Sequence, residues 1–294
     1  MKNILKMVNP LVINLKTELE ILKKDGAVIG ISGGIDSAVT LKLLEQCLPK
    51  DKILPMILPE RDSDPKRICI AKKICRDYDF KKISITPILR KLGIYHDFKN
   101  YFFIPRGIKE KYSQRKFRQS GKDIYLRFLN SKLDPDLLKA LGYLRIKNRI
   151  RMAIIYHHAE IRNYAVVGTI NKTEYLLGFF VPFGDGVADI MPLLNLYKTD
   201  VYEIARELEV PEEIINQAPS PDLIPGLSDE LILGMNYQNI DRILNQIEQN
   251  KSLNTASNEF RYIAEIFERA KRLRAFLFTA SRSAAHKKKQ NRRY

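Results

Sequence analysis

Residues 32–37 read Ser-Gly-Gly-Ile-Asp-Ser and stand between a short apolar run at 27–31 and a helical pattern that starts at once. Glycine lets the backbone approach a ligand closely, because no Cβ stands in the way. The first N–H groups of a helix lack partners within it and attract an anion. Ser32 and Ser37 add hydroxyl donors. The stretch Gly30, Ile31, Ser32, Gly33, Gly34, Ile35, Asp36 and Ser37 therefore has the composition of a phosphate cradle. Asp36 is the odd member, since a carboxylate repels phosphate. It makes sense when a divalent cation bridges the two. The plainer alternative is a tight turn in which Asp36 only favours the helix start. No Gly-Lys-Ser/Thr follows, so this is not the P-loop of kinases and GTPases. Nor is it the Gly-x-Gly-x-x-Gly dinucleotide fingerprint.

The elements that must position this loop can be read on either side of it. An amphipathic helix is expected over 10–24, with Leu11, Ile13, Leu15, Leu19 and Leu22 as its apolar face. Strands are expected at 27–31, 53–58, 82–87 and 164–169, and helices at 36–48 and 146–161. Asp64 before Pro65 reads as an N-cap and first helical residue. Pro55 in the second strand is expected to sit near a strand end. Strands alternating with helices predict an α/β fold, a doubly wound parallel sheet with flanking helices. Such sheets bind ligands beyond the carboxyl ends of their strands, where Ser32 and Thr169 both fall. Beyond residue 196 the pattern is mostly helical, and the chain ends in the basic "HKKKQNRRY". Residues 93–145 are rich in charge and poor in apolar positions, so they read as an insertion or lid outside the core.

Composition bounds the function. The chain has 294 residues, 45% of them hydrophobic, enough for a sizeable core. Fifty Lys and Arg against 34 Asp and Glu give a formal charge of +16, which favours a polyanionic partner: a nucleotide, nucleic acid or an acidic membrane surface, the plainer reading being a basic proteome. Cys47, Cys69 and Cys75 form no Cys-x-x-Cys pair, which argues against zinc, iron–sulfur and disulfide frameworks. The apolar start is broken by Lys6, Asn9, Pro10, Asn14 and Lys16, so no membrane span is expected and the location expected is cytoplasmic.

The string "SGGIDS" after an apolar strand resembles the PP-loop of ATP pyrophosphatases, of the adenine nucleotide alpha-hydrolase-like group. That group includes NAD, GMP, asparagine and argininosuccinate synthetases and tRNA-modifying enzymes. A second segment narrows the choice. "VVGTINKTEYLLGFFVPFGDGVADIMPLLNLYKTDVYEIARELEVPEEII", 166–215, is similar to the NAD synthetase family in order and spacing. "NRIRM" (148–152), "APSPDL" (218–223), "SDE" (228–230) and "LGMNYQNID" (233–241) continue the likeness. It covers nearly the whole chain apart from 93–145 and implies one synthetase domain over 1–294 with a basic insertion and a basic tail.

The resemblance also implies roles. Residues 30–37, Thr169, Lys198 and Ser220 would contact ATP, the cosubstrate. Asp36 and Glu174 would bind Mg2+, and with Lys198 would be the catalytic groups. Arg149, Asp185, Asp189, His286 and Lys287 would contact deamido-NAD. Pro182 stands where many relatives carry a lysine, and Val187 where a glycine is common. The expected reaction is ammonia-dependent: ATP adenylates the carboxylate of deamido-NAD, and ammonia displaces AMP. Nearly all the chain falls within the synthetase pattern, leaving no amidase domain to be expected. Relatives form homodimers, so a homodimer is expected; membrane and nucleic acid partners are not. The rivals are another PP-loop enzyme acting on RNA or a sugar, and a non-catalytic nucleotide sensor. Segment 93–145 is expected to act as a cationic flap, with Gly107 and Gly121 as hinges.

Overall fold

The apolar runs on either side of the glycine loop pair side by side, all in one direction. The computed structural model describes residues 5–96, 106–119, 124–129, 133, 135–220, 226–249 and 257–275. Among these, β1 (Gly26–Gly30), β2 (Ile53–Ile57), β3 (Lys81–Lys82) and β4 (Tyr164–Val167) form a parallel sheet in the order β3-β2-β1-β4. The register pairs Val28 with Leu54 on one side and with Val166 on the other. Side chains alternate across a strand, so β1 feeds two cores. Ala27 and Ile29 pack with α1 (Leu5–Ile21), α2 (Ile35–Glu45) and α9 (Lys198–Glu207). Val28 packs on the other face with Leu54, Met56, Ile155 and Ala159, the last two from α7 (Pro135–Glu160). Helices cover both faces, the doubly wound arrangement expected.

Several boundaries differ from the sequence pattern for physical reasons. The strand expected at 82–87 is short, because Pro87 sits in the first turn of α4 (Thr86–Lys91) and fixes the helix start. Ile83 and Ile85 still donate to Ile57 and Pro59 carbonyls at 3.0 and 2.9 Å, so the alternation was that of a one-sided edge. Pro55 is the third of the five residues of β2, not near its end. It is tolerated there because β3 pairs only from Met56 onward, leaving that side of Pro55 without a ladder partner. On α1 the buried face is Val8, Val12, Leu15 and Leu19, whereas Ile13 is 62% exposed. The helix expected at 146–161 starts earlier, at Pro135.

The C-terminal part is helical: α10 (Glu212–Ile215), α11 (Asp229–Leu233), α12 (Tyr237–Glu248), α13 (Asn258–Arg269) and α14 (Lys271–Arg274) follow α9. Leu233, Tyr237, Ile240, Leu244, Ile263 and Ile266 form a third core with Leu177 of α8 (Lys172–Leu177). Segment 93–145 is mostly helical where described, as α5 (Arg106–Gln119), α6 (Ile124–Leu129) and the start of α7. It contributes to the core after all, since Tyr125 and Leu126 are buried in that third cluster. Gly107 lies within α5 and not in a hinge loop, and Gly121 lies outside the described residues.

Buried cations within this segment and just after it account for its charged pattern. Lys147 of α7 lies 2.7 Å from Glu60, and both side chains are fully buried. Tyr95 donates to the other Glu60 oxygen at 3.0 Å. Lys109 of α5 reaches Asp62 at 3.4 Å, and Arg106 reaches Asp64 at 3.2 Å. The loop after β2 is thus clamped by α5 and α7. Removing one member of a buried ion pair leaves the other charge uncompensated. Lys147→Met alone should cost about 3–5 kcal/mol in urea unfolding, and adding Glu60→Gln should recover much of it. A single variant as stable as the parent would show that the pair does not hold this loop.

Candidate active site

The loop between β1 and α2 is shaped by its glycines. Gly33 adopts φ +81°, and a Cβ there would lie 2.5 Å from the Arg67 carbonyl oxygen. That conformation and that approach both exclude other residues. Gly34 N–H donates to Ser32 Oγ at 3.2 Å, Ser37 Oγ donates to Gly34 O at 2.9 Å, and the two hydroxyls lie 3.3 Å apart. Gly34 is the N-cap of α2 and has no side chain to occupy the first-turn N–H groups. The helix start is left open to an anion.

The sheet order places this loop beside the end of β4. β1 lies between β2 and β4, so the chain winds in opposite directions on its two sides, and a crevice opens beyond the carboxyl ends there. After β4 the chain turns into α8 through Asn171. Its side chain accepts from Glu174 N–H at 3.0 Å, while Asn171 N–H donates to Glu174 Oε2 at 3.2 Å. This capping box fixes the Glu174 carboxylate. Asn171 is fully buried and its Nδ2 donates to Asp36 Oδ1 at 3.0 Å. One side chain therefore sets both carboxylates.

Lys198 comes from the first residue of α9. Its backbone N–H donates to Thr173 Oγ1 at 2.9 Å, and Thr173 donates in turn to Asp241 at 2.5 Å. Its ammonium donates to Asp36 Oδ2 at 2.5 Å and lies 3.7 Å from Glu174 Oε1, with only 1% of the residue exposed. Burial works against the Lys198 charge, but Asp36 and then Glu174 more than offset it and hold its pKa above the usual lysine value. Burial, then repulsion from Asp36, pushes the Glu174 carboxyl well above the carboxylate range. A third carboxylate faces the same cavity. Asp229 is 4% exposed, and Tyr237 donates to its Oδ2 at 2.9 Å, while its Oδ1 is buried with no partner.

Three carboxylates around one ammonium, one of them with an orphaned oxygen, form a donor set short of positive charge. That suits an added divalent cation. Among the described residues no three His, Cys, Asp or Glu converge on a metal position by themselves. Oxygen ligands from a substrate phosphate would therefore complete the coordination, as Mg2+ prefers.

A cavity of about 400 Å³ opens from the loop and is lined by Ser32, Asp36, Thr169, Glu174, Lys198 and Ser220. Gly30, Ile31, Gly34, Ile35 and Ser37 also face it. Ser220 Oγ donates to Leu227 O at 2.8 Å. Asp185 faces the cavity too; it accepts from Val181 N–H at 2.8 Å, and burial raises its pKa. Two expected substrate contacts sit elsewhere. Arg149 Nε donates to Pro182 O at 3.2 Å, and Asp189 accepts from Val166 N–H at 2.7 Å, stitching the turn at 189 to β4. His286 and Lys287 lie outside the described residues. The sequence reading gave no role to Asn171, Asp229 or Arg67. The Asn-x-x-Glu spacing signals the capping box, but nothing local marks the other two.

The NAD synthase family model matches residues 7–102 and 110–290. The NH3-dependent NAD+ synthetase of Thermotoga neapolitana is 46% identical over 241 residues, covering 81% of this chain and 83% of that protein. Among solved structures, the NMN synthetase of Francisella tularensis is similar with a TM-score of 0.68 at 28% identity, over 93% of this chain and 97% of that one. The NH3-dependent NAD synthetase of Campylobacter jejuni shares the fold, with a TM-score of 0.62 at 23% identity over 92% and 95% of the two chains.

The raised Glu174 carboxyl gives a signed expectation. Its folded pKa exceeds its unfolded one, so its contribution favours folding in acid and is lost as pH rises through the folded value. Glu174→Gln removes that loss. In metal-free protein near pH 8 the variant should melt about 2–4 °C above the parent, for a gain of roughly 1 kcal/mol, with the difference fading toward pH 5. Magnesium plus ATP should raise the melting temperature of the parent much more than that of the variant. A variant less stable than the parent at pH 8 would mean that Glu174 is held by favourable contacts and not strained.

Proposed function

The chain belongs to the NAD synthase family, and on that footing we propose that it is an ammonia-dependent NAD synthetase, a ligase that forms a C–N bond. It converts deamido-NAD and ammonia to NAD, driven by cleavage of ATP to AMP and pyrophosphate. The observation that carries this reading is the convergence of Asp36, Glu174 and Lys198 on a glycine cradle that lacks a P-loop lysine. Such a cradle grips the terminal phosphates and leaves the α-phosphorus open toward the cavity.

The residues divide the work. The cradle of Ser32, Gly33, Gly34 and Ser37, with the start of α2, binds phosphate oxygens by N–H and O–H donation. Lys198 places a positive charge at the leaving pyrophosphate. Thr169 and Ser220 flank the nucleotide in the cavity. The chemistry needs no side-chain nucleophile. A carboxylate oxygen of deamido-NAD attacks the α-phosphorus, the bond from that phosphorus to the β-bridging oxygen breaks, and pyrophosphate leaves. Ammonia nitrogen then attacks the acyl carbon and loses a proton, and AMP leaves with the carboxylate oxygen. Positioning in a water-poor cavity is the main contribution of the protein. Asp36 and Glu174 would hold Mg2+, which when bound neutralises charge gathering on the phosphates. Asp185, with its raised pKa, is the acidic group in the cavity suited to facing the acceptor end. The protein works in the cytoplasm as a homodimer. Ile13 and Ile21, each about three-fifths exposed on α1, support an apolar contact between copies. Among the described residues no helix is long and apolar enough to cross a membrane.

Purified protein with ATP, magnesium, ammonium and deamido-NAD should form NAD, AMP and pyrophosphate in equal amounts. Glutamine in place of ammonium should give less than about a tenth of that rate, as the likeness to NH3-dependent relatives leads us to expect. Nicotinic acid mononucleotide, tested because of the likeness to the Francisella protein, should be the poorer acceptor. Release of ADP and phosphate, or efficient use of glutamine, would refute the proposal.

A further inference from the structure

Arg67 is an arginine that the reaction as described does not use. It stands in the first turn of α3 (Pro65–Cys75), behind the Asp64 cap that accepts from Lys66 N–H at 2.9 Å. It is only 7% exposed and lines the same cavity as Ser32, Asp36 and Lys198. Its backbone is what Gly33 approaches so closely. Its guanidinium overhangs Gly34: a Cβ built there would be 3.7 Å from Arg67 Nη1. The cation therefore borders the cradle itself.

Its polar partners leave it unbalanced. Nη2 donates to Ala218 O at 2.8 Å and Nη1 to Ser220 O at 3.3 Å. Both acceptors are neutral carbonyls. Among the described residues Arg67 forms no ion pair, although its charge acts on Asp229. A guanidinium carries five N–H donors in a fixed fork, and two are engaged here. Burying a cation without an anion is costly. Planar, multipoint donation suits phosphate better than a single ammonium does.

We propose that Arg67 grips the pyrophosphate half of ATP, and that through its bonds to the Ala218 and Ser220 carbonyls it draws loop 218–220 over the nucleotide. The inference rests on the adenylation reading above. Lys198 of α9 and Arg67 of α3 then supply the positive charge at the cradle from two separate elements. Arg67 is a catalytic residue in that it touches the leaving group, and a positioning residue for the loop that carries Ser220.

The test uses the full chain with Arg67→Gln and Arg67→Lys. Binding of inorganic pyrophosphate with magnesium and of AMP is measured by calorimetry, along with KM for ATP and kcat. AMP lacks the β and γ phosphates, so it reads the nucleotide pocket without the proposed contact. Arg67→Gln should weaken pyrophosphate at least about tenfold, as loss of a charged hydrogen-bonding partner does, and weaken AMP by only about two- to threefold, the part owed to the loosened 218–220 loop. Arg67→Lys keeps the charge but loses the fork, so it should fall between, and it carries the test if Arg67→Gln does not fold. Equal weakening of pyrophosphate and AMP would make Arg67 a purely structural brace and overturn the proposal. So would unchanged pyrophosphate binding. If the parent protein itself yields ADP and phosphate, the adenylation reading fails. If it yields AMP and pyrophosphate while the variants bind pyrophosphate normally, only the Arg67 assignment fails.

Discussion

The buried ammonium of Lys198 between Asp36 and Glu174 is the contact on which the rest of the site depends. Two carboxylates this close repel each other, and burial makes the repulsion stronger. One cation makes the arrangement tenable without satisfying it. The site is thus short of positive charge, and the Glu174 carboxyl holds a proton more readily than usual, while the cradle beside it attracts negative charge. Phosphate and a divalent cation supplied together meet both demands, and neither alone does.

The fold exists to hold that imbalance in place. Asp36 comes from the helix after β1, Glu174 from the helix after β4, and Lys198 from the start of α9. Parallel pairing of β1 with β4 brings the first two together, and the α2–α9 contact within the first core brings in the third. Small polar groups then set the angles. Asn171 ties Asp36 to the Glu174 capping box, and Thr173 with Asp241 fixes the start of α9. These groups touch no substrate, yet a shift in any of them would move a carboxylate or the lysine.

How far the sequence foretold this can be traced residue by residue. The cradle was legible because glycines and hydroxyls between a strand and a helix have few other uses. The parallel sheet was legible from apolar runs that feed two cores, as β1 does with Ala27, Val28 and Ile29. The NAD synthetase likeness singled out Glu174 and Lys198 by order along the chain, and the structure brings them to Asp36. Asp229 and Arg67 escaped because each acquires its meaning only through distant partners: Tyr237 and the cavity for one, the 218–220 carbonyls and Gly34 for the other. Segment 93–145 was misjudged for a similar reason. Apolar periodicity cannot register a buried Lys109, or the Lys147 just beyond the segment, because the carboxylates that neutralise them lie in the loop after β2. Arg149 and Asp189 match the family pattern by position; in this structure Arg149 donates to the Pro182 carbonyl, and Asp189 accepts from Val166 N–H and bonds the Tyr156 side chain.

The central claim is that this charge arrangement presents the α-phosphorus of ATP to a carboxylate, and the fate of that carboxylate oxygen tests it most directly. Deamido-NAD carrying oxygen-18 in its nicotinate carboxylate, turned over with ATP, magnesium and ammonium, should deliver one labelled oxygen to each AMP formed. Mass spectrometry of the products reads this without kinetics. Label appearing in pyrophosphate or inorganic phosphate, or AMP released without label while NAD accumulates, would contradict the account.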